Sequence, residues 1–164
     1  MPPLIKRGVI MDDAYMLVRG ATALADVPDG VPVIVPLPLW VAERQALLAR
    51  GEVGVWLAPA DDPEALAGDV GVLKVIAVDF PSFTDGRGYS SARILREAGY
   101  TGELRAQGDV LVDQIPLMRR CGFDSFAPEA EVDLAVLDAA LERYAHHYQP
   151  AADAVVPVWK LRHG

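Results

Sequence analysis

Apolar residues in this chain come in short unbroken runs, and most runs are followed by a stretch in which they recur at helical spacing. The clearest run is 73–80 (LKVIAVDF). It lacks the in–out alternation of a half-exposed strand, so it predicts a strand covered on both faces. Residues 53–58 (VGVWLA) predict a second such strand, and residues 31–37 a third, whose prolines suit an edge or a strand end. Shorter strands are expected at 103–107 and 123–126. Helical spacing begins after Pro38, where Leu39, Ala42, Ala46, Leu47 and Arg50 recur and Gly51 ends the segment. Asp61 or Asp62 followed by Pro63 marks a short helix. Further helices are predicted at 89–98, closed by Gly99, and at 110–120, closed by Cys121 and Gly122. Pro116 either kinks that last helix or confines its regular part to the residues after it. Residues 131–147 read as a long amphipathic helix with Val132, Ala135, Val136, Ala139, Ala140 and Tyr144 on one side.

Strand, helix, strand, helix with short links is the signature of a right-handed parallel α/β arrangement. Four or five crossings fall short of a closed eight-fold barrel. The expectation is a single α/β domain over residues 1–164, with a mainly parallel sheet and helices packed on it, as an open sheet or a partial barrel. Residues 31–149 form the crossings. Residues 1–30 form an N-terminal hairpin region, with two short strands in 8–18 turning at Asp12 and Asp13. Residues 150–164 form an extended tail. These ends are expected to pair with each other or with a second copy of the chain, as a homodimer.

A 52% apolar and 23% charged composition is that of an ordinary globular chain. A net charge of −8 argues against a nucleic-acid or anionic-membrane surface, both of which require a basic face. The single cysteine, Cys121, allows no intramolecular disulfide. The first residues, MPPLIKRGVIMDD, lack the apolar core of a signal peptide, and the apolar run 31–42 is short and broken by prolines. A cytoplasmic, soluble protein is expected.

Ligands of parallel α/β folds sit where strands end and loops begin. Three such ends fall in residues 74–126. Asp79 closes the most apolar strand, where a carboxylate is costly unless paired or used, and Arg105 on the next strand is its expected partner. The loop DGRGYSS runs from Asp85 into a helix. Gly86, Arg87, Gly88, Ser90 and Arg93 are expected to form a small anion site there, with backbone amides and two guanidinium groups. The structural alternative is a tight turn at Asp85 and Gly86 with Ser90 as a cap. The glycines lie too far from the strand for a dinucleotide fingerprint. Asp109 suits the N-cap of the next helix, with Gln107 before it and Gln114 a turn beyond, and Asp124 sits at the third strand end. Cys121 lies at a helix C-terminus, which disfavours a thiolate. His146, His147 and His163 have no metal-binding spacing, so no metal is assigned.

The words FPSFTDGRGYS, GELRAQGDVL, DQ and RCGF, with the ending YQPAADAVVPVWKLR, resemble a bacterial family of unknown-function domains described as probable oxidoreductases involved in sulfite reduction. Its members are typically encoded beside assimilatory sulfite reductase and adenylyl-sulfate reductase. The resemblance covers residues 50–160, with Pro116 standing where the family has a large apolar residue. It implies a role in sulfate assimilation, with sulfite reductase as a partner. Two mechanisms are compatible with it, beside a third reading as an oligomeric scaffold without catalysis whose terminal strands pair between copies. In one, the chain is an accessory protein carrying a small sulfur oxyanion or a nucleotide at the loop. In the other, it is an enzyme in which Asp79 and Arg105 face the ligand and Asp109 or Asp124 assists. No cofactor is fixed by the residues, so redox work falls to a bound carrier or a partner.

Overall fold

The computed structural model describes residues 4–143 and 146–161. The chain opens with an antiparallel hairpin of β1 (Leu4–Lys6) and β2 (Val9–Met11). Its turn is Arg7-Gly8, with φ of 56° and 78°, the two positive values that a tight primed turn requires. Asp12 and Asp13, expected as the turn, instead lie in the link to β3 (Met16–Leu17). The crossings come next in chain order. They are β4 (Val33–Pro36), α1 (Leu37–Arg50), β5 (Val53–Leu57), β6 (Val75–Phe80), α2 (Arg87–Glu97), β7 (Glu103–Gly108), α3 (Ile115–Cys121), β8 (Ser125–Pro128) and α4 (Leu134–Glu142). A short 3-10 helix, Pro63–Leu66, joins β5 to β6, capped by Asp62 as its sequence predicts.

All eight strands form one sheet in the order β2-β1-β8-β7-β6-β5-β4-β3. From β3 to β8 every neighbouring pair is parallel, while β1 runs antiparallel to β8. Each crossing steps the same way, so right-handed connections place every packed helix on one face. The partial-barrel alternative is therefore the one realised: a curled half-barrel. Its curvature arises from the connection between its edges. β2 and β3 are the two outermost strands, yet only residues 12–15 join them. That link spans at most about 18 Å, whereas eight flat strands would be about 34 Å wide. The edges must curl towards each other, with residues 12–15 bridging the open side.

β6 shows how the two faces differ. Ile76, Val78 and Phe80 join the large core beneath the helices with Leu95, Leu104, Met118 and Phe126. Val75 and Ala77 face the other way, into a small apolar patch with Ile34, covered by Tyr15, Leu17 and Trp56. β7 alternates more sharply, sending Leu104 and Ala106 to the helices and Glu103, Arg105 and Gln107 to the helix-free face. Arg105 is only 1% exposed there. It donates to Asp13 Oδ2 at 2.6 Å and, through Nε and Nη2, to Glu103 Oε1 at 3.1 and 3.0 Å. Glu103 also accepts from Ser125 Oγ at 2.7 Å and Lys6 Nζ at 2.6 Å.

Several boundaries differ from expectation. α2 begins at Arg87, with Gly86 as its cap residue. A 3-10 turn, Val112–Gln114, precedes α3, which places Pro116 in the first helical turn, where a missing amide costs nothing. α4 covers only Leu134–Glu142, with the Asp133 carboxylate accepting from Ala135 N, and Tyr144 lies outside the described residues. The tail is not a strand pairing with the N-terminus. It docks on α3, where Ala152 N donates to the Arg120 carbonyl, and ends in a short helix α5 (Val158–Leu161). Among the described residues no helix is long and apolar enough to cross a membrane.

Removing Arg105 leaves Asp13 and Glu103 buried without their shared counter-charge. Arg105→Ala should cost about 3–5 kcal/mol of unfolding free energy, and adding Glu103→Gln to it should recover part of that loss. Urea denaturation of both variants checks this; a single-variant loss in the small range typical of surface sites would show that water replaces the guanidinium.

Candidate functional site

The carboxyl ends of β5, β6 and β7 place Trp56, Asp79 and Gln107 at one rim of the helix-free face. Arg19, just after β3, and Glu129, just after β8, complete it. Asp79 is 9% exposed. Its Oδ1 accepts from Arg19 Nη2 at 3.1 Å and, at the long distance of 3.4 Å, from Trp56 Nε1. The Arg19 guanidinium lies 5.6 Å from the centroid of the Trp56 ring, and its Nη1 is 3.6 Å from Glu129 Oε1. Arg19 is thus shared between two carboxylates and an aromatic face.

Burial pushes the Asp79 carboxyl above the usual carboxylate range. Arg19 and Trp56 pull it back without offsetting the burial, and Glu129 and Asp85 add to the rise. Gln107 stands beside Asp79 in the β6–β7 register and is 6% exposed. The backbone makes a tight crossing here. Gly108 has φ 110°, and a Cβ at that position would lie 2.5 Å from the Phe80 carbonyl oxygen and 3.5 Å from Asp79 Oδ1. Only glycine keeps β7 this close to the end of β6.

The loop after β6 is held from the neighbouring loop. Asp109 accepts from Phe83 N at 2.9 Å, and Gln114 Nε2 donates to the Phe83 carbonyl at 2.8 Å. Asp109 is therefore a loop brace and not a helix cap, because the helix starts too late for it. Gln114 Oε1 is left buried without a partner among the described residues. Asp85 binds Arg87 through its backbone N at 3.1 Å and its Nη2 at 2.6 Å, and this pairing holds the Asp85 carboxyl down to about 2. Arg87 is folded back on its own turn. Gly88 serves packing: a Cβ there would meet the Phe80 ring at 2.5 Å. Ser90 is exposed in the first turn of α2, and Arg93 pairs with Glu97 along the helix at 2.7 Å.

Arg105 is not the partner of Asp79. The register sets it opposite Ala77, two residues short of Asp79, and Asp13 reaches it first. Asp124 lies at the opposite end of the strands, accepting from Arg96 Nη2 at 2.5 Å and Leu104 N at 2.9 Å. The structure thus brings Asp79 and Gln107 together at the rim, with Asp85, Asp109 and Gln114 in the loops beside it. It keeps Arg93 and Asp124 elsewhere. Arg19, Trp56 and Glu129 are additions that sequence reasoning does not supply. Trp56 has a legible signal, as the one hydrogen-bonding side chain within VGVWLA, but Arg19 sits in a segment without periodicity. The Cys121 thiol is pushed up by burial. Among the described residues no group of His, Cys, Asp and Glu is placed to hold a metal.

The chain belongs to a family of bacterial proteins of unknown function (DUF934), whose profile matches residues 54–159. That span holds Trp56, Asp79, Gln107 and Glu129 but not Arg19. No curated protein and no solved structure matches the chain.

Because folding raises the proton affinity of Asp79, its contribution to stability is complete below the unfolded carboxylate value of about 3.9 and is lost as pH rises through the folded value. Asp79→Asn should match the wild type below about pH 3.9 and exceed it in stability at neutral pH, by urea denaturation at both. A variant weaker at neutral pH would mean that the Arg19 pair outweighs burial.

Proposed function

We propose that the carboxyl rim binds a small sulfur oxyanion, and that the chain serves assimilatory sulfite reduction with it, as an accessory protein or oxidoreductase acting beside the reductase. The observation that carries this reading is the Asp79–Arg19–Trp56 arrangement, together with the family resemblance of the central sequence words. With Asp79 ionised, Arg19 is occupied by it. When the carboxyl takes a proton, its hold on the guanidinium weakens, the Trp56 N–H is left with a neutral and weaker acceptor, and the carboxyl O–H becomes a donor. Three donors, the guanidinium, the indole N–H and the carboxyl O–H, then lie side by side at the rim, with the Gln107 carboxamide alongside. A sulfur oxyanion offers the compact set of acceptors that suits them. Binding is then coupled to proton uptake, and electrons come from the partner or a bound carrier.

A second reading, a free-standing enzyme, rests on the same raised carboxyl. There Asp79 donates its proton to the bound oxyanion as a general acid.

Sulfate keeps its charge across the relevant range and is a clean probe. By titration calorimetry its affinity should rise as pH falls, approaching about tenfold per pH unit above the Asp79 value. Asp79→Asn should bind without this pH dependence, and Arg19→Ala should not bind. Equal wild-type affinity at all pH values, or full binding by Arg19→Ala, overturns the rim as the site. Separately, the tagged chain should co-purify stoichiometrically with the sulfite reductase of its own genome, more so with sulfite present. Absence of that complex favours the free-standing enzyme.

A further inference from the structure

At the other end of the strands, beneath the C-terminal tail, lies a cavity of about 730 Å³, well within the size of a small-molecule site. Its walls come from the β1–β2 turn, the starts of β7 and β8, α3, α4 and the tail. One wall is apolar, built by Ile5, Ile115, Phe123, Phe126, Leu137 and Leu141. The rest is rich in cations, against the sign of a chain carrying −8 overall.

Two of those cations are neutralised. Lys6 is paired with Glu103, and Arg96 with Asp124 and the carbonyls of Tyr100, Gly102 and Gly122. Three are not. Arg7 and Arg119 have no ion pair among the described residues. Arg120, whose side chain is 13% exposed, has Asp153 only at 3.8 Å from Nε and gives Nη2 to the Gln149 carbonyl at 2.5 Å. Its Nη1 is buried with no acceptor among the described residues. A buried guanidinium N–H without a partner is costly, and such groups are few in folded proteins. Arg119 and Arg120 lie in the last turn of α3, where cations complement the helix dipole. That effect does not account for the orphaned Nη1, nor for Arg7, which arrives from a different element.

We propose that this cavity binds an organic phosphate or sulfate. The anionic group is held by Arg7, Arg119 and Arg120, and the apolar body lies against the wall formed by Ile5, Ile115 and Phe126. Charge-assisted contacts supply orientation, and the apolar wall selects against bare inorganic anions. The site is independent of the carboxyl rim.

The test is a titration of the full chain with phenyl phosphate, monitored by amide NMR, with phenol and inorganic phosphate as controls. Saturable shifts are expected at Gly8, Arg120, Gly122 and Ala152, with phenol producing none and inorganic phosphate binding more weakly. The paired substitution Arg7→Ala and Arg119→Ala leaves the tail contacts of Arg120 in place and should weaken binding about tenfold or more. Phenyl sulfate serves as the second arm: tighter binding of the phosphate ester assigns a phosphate ligand, and tighter or equal binding of the sulfate ester a sulfate. No saturable shifts with either ester at millimolar concentration, shifts confined to Arg19 and Trp56, or undiminished binding by the double variant overturns the proposal.

Discussion

Arg105 buried on the helix-free face is the constraint on which the rest of the half-barrel depends. A parallel sheet must be covered on both faces, and its helices here cover only one. The other face is closed by curvature and by the residues joining β2 to β3. β7 places Glu103 and Arg105 in that enclosed space, where an unpaired charge is not tolerated. Counter-charges therefore have to arrive from outside the crossings. Lys6 comes from the strand beside β8, Asp13 from the link that bridges the two sheet edges, and each fixes its segment in place. The N-terminal residues are thus part of the barrel interior.

The same segment sets the rim. Six residues beyond Asp13, Arg19 reaches Asp79 much as Asp13 reaches Arg105. Two charges of the polar row, Asp79 on β6 and Arg105 on β7, are thus matched by Arg19 and Asp13 within residues 13–19. A link that lost Asp13 would lose its anchor on Arg105, close to the segment that carries Arg19. Stability and the candidate site are coupled through one short stretch of chain.

Much of this architecture is legible in the sequence, and the illegible part has a physical cause. Apolar runs without alternation mark the parallel strands, and proline and glycine mark most helix ends. Asp79 stands out because a carboxylate at the end of VIAVDF demands a partner. Its partner is not legible because strand register is not written in local sequence; Arg105 falls opposite Ala77, a two-residue offset that only the assembled sheet reveals. The Asp12-Asp13 pair has turn chemistry, yet the sharper turn at Arg7-Gly8 wins because β1 must reverse beside β8. The glycines near Arg87 suggest a ligand cradle, while Gly88 is there to admit the Phe80 ring. Long-range pairing, not local propensity, decides each of these.

A buried and a partly buried carboxyl group on one face of one sheet are displaced in opposite directions, and the number of donors each receives explains why. Both are desolvated. Glu103 is nonetheless held below its ordinary range, because Lys6, Ser125 and Arg105 all donate to it at short distance. Asp79 has half of a shared guanidinium and one long indole contact, so burial wins and its proton affinity rises. A fully satisfied carboxylate has nothing left to offer a ligand and serves the fold. An under-satisfied one retains acceptor capacity and holds its proton more tightly than an ordinary carboxyl. The contrast between Glu103 and Asp79 is here a difference in the number of hydrogen bonds delivered to a carboxylate, and it singles out Asp79 as the candidate for chemistry.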